Sequence, residues 1–293
     1  MVEDTFARSM AHWSEDGRAG MEDFYAFARQ DYRVLAEALD YGRLFARLRQ
    51  RRGADLGVLD VACGSGKFGE ALRSHATLGD DPVRYALLDP SRFSLAEAAR
   101  ALGPPFVLAE TYPCTLQDYD GPAGAYDLVW ATHALYALPA DELRAGLARF
   151  LGALAPWGVG VIAQASSTSH YLRIYDAYLA EPGRTATPFT SSEQIATALT
   201  DLGAQPHTLR VSYDADIPAG HPALTGYLQR CLFDDTLTLP DLLAEPALGG
   251  YLRGCQTPGG GYRFRQDVDL HLFGLPHEDL AALATGARDL PAA

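Results

Sequence analysis

The chain has 293 residues, with 24 Lys+Arg against 37 Asp+Glu and a formal net charge of −13. A hydrophobic share of 48% with 21% charged residues allows a sizeable buried core, which excludes an intrinsically disordered chain. An isoelectric point near 5.0 repels phosphates, and no basic stripe reverses the field locally, so nucleic acid is not an expected partner.

The densest positive run, Arg47, Arg49, Arg51 and Arg52, reads as the solvated C-terminal end of a helix, where the helix dipole favours cations. Cys63, Cys114, Cys231 and Cys255 form no close pair, which predicts neither a metal site nor a disulfide framework. Residues 1–20 are charged and lack an apolar signal core. The longest uncharged stretch, 150–171, holds Pro156, Gly158, Gly160 and Gln164, which suit a turn and a buried strand better than a membrane helix. The expectation is a cytoplasmic protein with no membrane contact, acting as a monomer or homodimer on a small molecule.

Residues 22–50 carry Phe24, Phe27, Leu35, Leu39, Leu44 and Leu48 at roughly helical spacing and predict one or two amphipathic helices. The apolar run 58–62 reads as a buried strand, followed by Cys63-Gly64-Ser65-Gly66 and a helical pattern to about Ser74. A second strand over 85–89 leads into a helix whose start carries a capping box, Ser94 with Glu97. Strands follow at 104–108 and 126–131, then a helix over 140–154 and a strand over 158–164. Such alternation predicts an α/β fold, a doubly wound and mostly parallel sheet covered by helices on both faces.

Beyond Ala165 the pattern weakens. A helix is expected over 191–202, closed by Gly203, and a strand over 207–212. Residues 213–261, broken by Pro218, Pro222, Pro240, Pro246 and Pro258, read as loop-rich with helical patches. Residues 262–273 alternate apolar side chains with Arg263, Arg265, Asp267, Asp269 and His271, the pattern of a strand with one wet face. The expected organisation is an N-terminal helical lid (1–50), a Rossmann-like core (51–212), a helical substrate-lid insertion (213–261) and a terminal strand with its tail (262–293).

Glycines between a strand and a helix let backbone approach a ligand, and the helix start offers free N–H groups. The nucleotide-triphosphate loop GxxxxGK[ST] fails here, because Gly66-Lys67 is followed by Phe68. Gly64, Gly66 and Gly69 formally satisfy a dinucleotide loop, and Asp89 follows about 20 residues on. Against a nicotinamide cofactor stands Asp60, a carboxylate that disfavours a pyrophosphate and welcomes a cation without phosphate.

Val58-Leu59-Asp60-Val61-Ala62-Cys63-Gly64-Ser65-Gly66 resembles the first motif of class I S-adenosylmethionine-dependent methyltransferases. Leu87-Leu88-Asp89-Pro90-Ser91 is similar to their second motif, Tyr126-Asp127-Leu128-Val129 to their strand four, and Leu154-Ala155-Pro156 with Gly158 to their turn into strand five. The resemblance implies a seven-stranded sheet and S-adenosylmethionine held by Asp60, Gly64, Ser65, Gly66, Asp89, Pro90, Thr111 and Thr132. Asp89-Pro90-Ser91, Thr132-His133-Ala134-Leu135-Tyr136 and Phe264-Arg265-Gln266 further resemble the histamine N-methyltransferase branch, and bacterial natural-product enzymes of similar make-up include some that methylate indole at carbon. That branch has an amide where this chain has His133 and a carboxylate near Arg33, so histamine itself is not the expected acceptor.

The implied reaction is methyl transfer to a small aromatic N-heterocycle or aromatic amine, at nitrogen or carbon. O-methylation of a small carboxylic acid or phenol stays open beside it. His133, directly after strand four, suits a base near neutral pH. His170 is a second candidate base, and Tyr25 a third candidate catalytic group. Phe24, Phe27, Asp31, Tyr136, Tyr171 and Tyr175 are candidate acceptor contacts. Gln266, a strongly polar residue on an apolar strand face, either bridges backbone groups or faces the acceptor. Trp13 and His12 are candidates for the lid.

Overall fold

The computed structural model describes residues 5–53 and 55–284; the first four residues and the tail expected over 285–293 lie outside the described residues. Helices α1 (Thr5–His12), α2 (Arg18–Ala38) and α3 (Tyr41–Arg52) open the chain. The core then runs β1 (Leu56–Val61), α4 (Lys67–His75), β2 (Val83–Leu88), α5 (Arg92–Ala101), β3 (Phe106–Tyr112), β4 (Tyr126–Thr132), α6 (Ala140–Ala153) and β5 (Leu154–Ala165), alternating strand and helix except between β3 and β4, which a loop joins. After it come α7 (His170–Leu179), α8 (Ser192–Asp201), β6 (His207–Ile217), α9 (Leu224–Leu232), α10 (Leu239–Ala244), α11 (Pro246–Gly254), β7 (Tyr262–Phe273) and α12 (His277–Ala281).

The strands form one seven-stranded sheet in the order β3-β2-β1-β4-β5-β7-β6. β1 to β5 pair in parallel, and β7 runs antiparallel to both β5 and β6. Strand order reverses between β1 and β4, and ligands of doubly wound sheets bind at that point, beyond the C-terminal strand ends. Alternating side chains build the core on both faces. Val58, Leu128 and Trp130 join a cluster with α3 and α4, while Leu59, Val61 and Val129 join one with α6 and α8. A third cluster lies under α7, α9 and α11, seated on Ala215, Ile217, Tyr262 and Phe264. These belong to the far ends of β6 and β7, so the two longest-paired strands carry the accessory helices.

Several local expectations shift. The cap of α5 is Ser91, not Ser94: Pro90 hands over to an extended Ser91 (φ −82°, ψ 108°), whose Oγ accepts the Ser94 N–H at 3.1 Å. Glu97 pairs with Arg100 instead. The third strand starts at Phe106, after two prolines that bring no N–H to a ladder, and runs on to Tyr112. The strand expected over 207–212 continues to Ile217, through the first residues expected for the insertion. In that insertion, Pro240 and Pro246 sit in the first turns of α10 and α11, where a missing N–H costs nothing.

The wet face of β7 is only half wet. Asp269 is buried against Arg210 (2.7 Å) and Ser192 (2.7 Å), and His271 between Ser192 and Thr208, both 2.9 Å away. Arg52 also does more than end α3 in solvent. Its Nη1 meets the buried Asp127 at 3.1 Å. No helix among the described residues is long and apolar enough to cross a membrane.

Candidate active site

The loop after β1 turns sharply, with Ala62, Gly64 and Gly66 all at positive φ (49°, 51° and 78°). The two glycines serve different ends. A Cβ on Gly64 would meet nothing within 4 Å, because open space lies before it. On Gly66 it would come within 3.0 Å of the Ala98 Cα, so this glycine lets α4 start close against α5. The carboxylate of Asp89 fixes the loop, accepting the Gly64 N–H at 2.9 Å and the Ser91 N–H at 2.8 Å.

A cavity opens here, lined by Asp60, Cys63, Gly64, Asp89, Pro90, Thr115, Gln117 and Thr132, and roofed by Met10, Trp13, Tyr25, Tyr32 and Tyr136. Asp60 is buried at the end of β1 and accepts from the Tyr85 hydroxyl at 2.7 Å. Burial pushes Asp60 up to about 7 and Asp89 up to about 6. No Lys or Arg lines this cavity among the described residues. Two acids without a cation suit a positively charged, phosphate-free ligand and oppose a dinucleotide, so the residues present fit S-adenosylmethionine.

Of the expected cofactor contacts, Asp60, Gly64, Asp89, Pro90 and Thr132 come together in this cavity. Thr111 does not: it is exposed on the edge strand β3, paired with Leu87, and Thr115 to Gln117 fill that part of the wall. Ser65 and Gly66 lie outside the lining; the Ser65 hydroxyl instead donates to Tyr25 Oη at 3.2 Å. Tyr25 roofs the cavity, with burial pushing its phenol up to about 12.

A second, mainly aromatic cavity adjoins the first. Trp13, Tyr32, His133 and Tyr136 line both. Phe24, Asp31, Gln164, Tyr171, Phe189, Arg230, Cys231 and Phe233 are among its other lining residues. His133 stands at the junction at positive φ (50°), its N–H held by Ala163 O at 2.8 Å, its ring edge-on to Tyr171 and Tyr32. Positive φ on a side chain of this size is strained, and such strain clusters at ligand sites. Burial lowers His133 to about 4 and leaves its Nε2 without a partner. Asp31 accepts from the Tyr171 hydroxyl at 2.5 Å, and burial pushes it up to about 7.

Other expected acceptor residues stand elsewhere. His170 is fully buried, stacked on Phe264 at 3.9 Å with Nδ1 on Tyr251 Oη at 2.8 Å, and lines neither cavity. Tyr175 stacks on Phe189 at 3.7 Å, behind the aromatic wall. Phe27 packs on Tyr227 and His221. Gln266 accepts from Ser169 Oγ at 2.6 Å, inside the core and outside both linings. The polar residue of an apolar strand that does face the cavity is Gln164 on β5, held through Nε2 to Thr190 O at 3.2 Å. The rule that singles out Gln266 selects Gln164 equally. Arg230, Phe189 and Phe233 carry no local signal, because they enter from segments distant in sequence.

Residues 58–158, from β1 into β5, match the family model described as a methyltransferase domain. No curated protein matches the chain. In fold it is similar to the YcgJ protein of Bacillus subtilis, at 10% identity over 79% of this chain and 97% of that one, with a TM-score of 0.50. It also aligns with the N-methyltransferase NodS of Bradyrhizobium japonicum, solved with S-adenosyl-L-homocysteine, at 16% identity over 92% and 98%, with a TM-score of 0.48. The magnesium protoporphyrin IX methyltransferase of Synechocystis aligns at 13% over 92% and 99%, with a TM-score of 0.49. The fold is the Rossmann-like methyltransferase fold. With the matched domain and the acidic cavity it builds, the chain is a methyltransferase and its cofactor is S-adenosylmethionine.

Proposed function

We propose that the chain methylates a small aromatic N-heterocycle or aromatic amine of the indole or imidazole type, as a step in natural-product biosynthesis. The observation that carries this reading is the shared wall: Trp13, Tyr32, His133 and Tyr136 border both the acidic cavity and the aromatic one. An acceptor between aromatic faces is thereby presented to the cofactor across a short passage. Phe24, Tyr171 and Phe233 give a flat ring its stacking surfaces. Asp31 gives the ring's N–H or amine an acceptor.

When bound, S-adenosylmethionine supplies an electrophilic methyl group on a sulfonium. The protein's task is to hold the acceptor in line and exclude water. Asp89 and Gly64 order the cofactor loop, with Thr132 beside them, and Asp60 adds a negative charge at the cavity floor. Trp13 from the N-terminal segment and Tyr136 from the segment after β4 border both cavities. His133, kept neutral at physiological pH, orients the heterocycle as a hydrogen-bonding wall residue.

One observation favours a second reading. Arg230 lines the aromatic cavity, is 3% exposed, and has its Nε without a partner. A cation there suits an acceptor carrying a carboxylate, with a methyl ester as product. Both readings are tested by S-adenosylhomocysteine release with S-adenosylmethionine and a panel of indole, imidazole, phenol and carboxylic acid acceptors, with products read by mass spectrometry. N- or C-methylated heterocycle supports the first reading, and methyl ester the second. Silence across the panel with the cofactor still bound discards both acceptor classes.

A further inference from the structure

The acceptor cavity contains one carboxylate among the described residues, Asp31 on α2, and its place there gives it a second use. We infer that Asp31 is the catalytic base that takes the acceptor's proton, and that His133 is not. The inference rests on the heterocycle reading above.

Position separates the two candidates. Asp31 lines only the aromatic cavity, on the acceptor's side, whereas His133 stands on the wall that the two cavities share. The Asp31 carboxylate is held through Oδ2 by the Tyr171 hydroxyl at 2.5 Å, which fixes its rotamer against that cavity. His133 has lost basicity to burial and has a buried Nε2 with no partner to orient it. Burial acts in the opposite sense on a carboxyl, and the Tyr171 hydrogen bond offsets only part of it, leaving Asp31 at about 7, where a base is most effective at neutral pH.

The other titratable groups around Asp31 are phenols and a thiol. They are Tyr171 from α7, Tyr213 from β6, Tyr227 and Cys231 from α9, and Tyr32 on its own helix. Burial raises every one of them above its ordinary value, so none exchanges a proton near neutrality. Arg230 is the cation lining the same cavity.

The step balances simply. The acceptor's electron pair forms the new bond to the methyl carbon, and the C–S bond breaks toward sulfur, which changes from sulfonium to neutral thioether. The acceptor, now carrying one positive charge, gives its N–H or ring C–H proton to the Asp31 carboxylate. Asp31 then returns that proton to water when the cavity opens.

The test compares pH profiles of kcat for wild type, Asp31→Asn, Asp31→Glu and His133→Asn with indole, which does not itself titrate in this range, as probe acceptor; tryptamine and imidazole serve only as further probes of turnover. S-adenosylhomocysteine affinity serves as a check that each variant is folded. Wild type is expected to gain activity as pH rises through about 7. Asp31→Asn is expected to lose roughly 100-fold or more in kcat and to lose this rising limb, as removal of a general base does. Asp31→Glu is expected to recover part of kcat with the limb displaced, and His133→Asn to keep the limb.

A readout independent of turnover is ¹³C-carboxyl NMR of aspartate-labelled protein, where one signal titrating near neutrality should vanish in Asp31→Asn. A limb that persists in Asp31→Asn, a limb that disappears in His133→Asn, or an Asp31 signal titrating in the ordinary carboxylate range overturns the inference. No turnover of any probe by wild type overturns the heterocycle reading, and the proton path with it.

Discussion

The indole Nε1 of Trp13 donates to the Tyr136 hydroxyl at 2.9 Å, and both side chains wall both cavities. The Trp13 carbonyl accepts from Ser91 Oγ at 3.1 Å, while the Ser91 N–H is held by Asp89. Trp13 is thus tied through its ring to the wall that both cavities share and through its backbone to the loop that Asp89 holds. Arginines join the N-terminal helices to α9 from both sides: Arg8 of α1 donates to Leu232 O (2.8 Å) and Phe233 O at the end of α9, and Arg230 of α9 donates to His12 O at the end of α1 and to Gly17 O just before α2. Trp13→Phe keeps most of the ring and removes one hydrogen bond worth about 1 kcal/mol, so acceptor KM should rise roughly five-fold. S-adenosylhomocysteine affinity, followed by calorimetry, should change much less. An equal loss in both would mean that Trp13 does not discriminate between the cavities.

The two loop glycines should fail in different ways. Gly66→Ala combines positive φ with a contact of 3.0 Å to the Ala98 backbone, so its cost falls on folding, about 1–3 kcal/mol and several degrees in Tm. Gly64→Ala meets no neighbour, and its methyl projects into the cofactor space. Its strain alone costs about 1–2 kcal/mol, and binding should be hit harder than stability. Thermal denaturation and S-adenosylhomocysteine titration on both variants separate these effects.

Cofactor affinity should depend on pH through Asp89. Its folded value of about 6 lies above the ordinary carboxylate range, so it is ionised at neutral pH and takes up a proton as pH falls through that value. Asp60, near 7, changes in the same direction. Protonation removes the negative charge and turns one accepting oxygen into a donor, so affinity for S-adenosylhomocysteine should weaken as pH drops from about 8 to about 5. Asp89→Ala should abolish binding at every pH, since it also leaves the Gly64 and Ser91 N–H groups unaccepted. Unchanged affinity in this variant would refute the cofactor site.

Asp127 predicts a stability effect far from the chemistry. Fully buried at the start of β4, beside β1, its carboxylate accepts the Gly57 N–H (2.8 Å), Trp157 Nε1 (3.0 Å) and Arg52 Nη1 (3.1 Å). Asp127→Ala strands these donors and should cost about 3–5 kcal/mol in denaturant melts, as breaking a buried ion pair does. Arg52→Ala should be similar or milder, because Arg52 is half-exposed and water replaces part of its contact.

What the sequence determined by itself was local and periodic. Strand-helix alternation from β1 to β5, the glycine loop with Asp60 before it and Asp89 beyond it, and the terminal strand Tyr262–Phe273 all follow from contiguous patterns. Each needs only its own residues: alternation sets the buried face, glycine permits positive φ, and an acid at a strand end faces the crevice. Position within the tertiary structure decided the acceptor side. Phe24 lines the cavity and Phe27 does not; Tyr171 does and Tyr175 does not; His133 does and His170 does not. Within each pair the residue types match, and both aromatic pairs share a helical stripe. Phe27 is covered by His221 and by Tyr227 of α9, folded back from more than half the chain away, whereas Tyr175 is covered by Phe189 and His170 by Tyr251 and Phe264; packing buries one member of each pair and leaves the other facing the cavity. Burial moves Asp31 and His133 in opposite directions for the same reason: desolvation disfavours charge, whatever its sign, and only packing decides how much water a side chain loses.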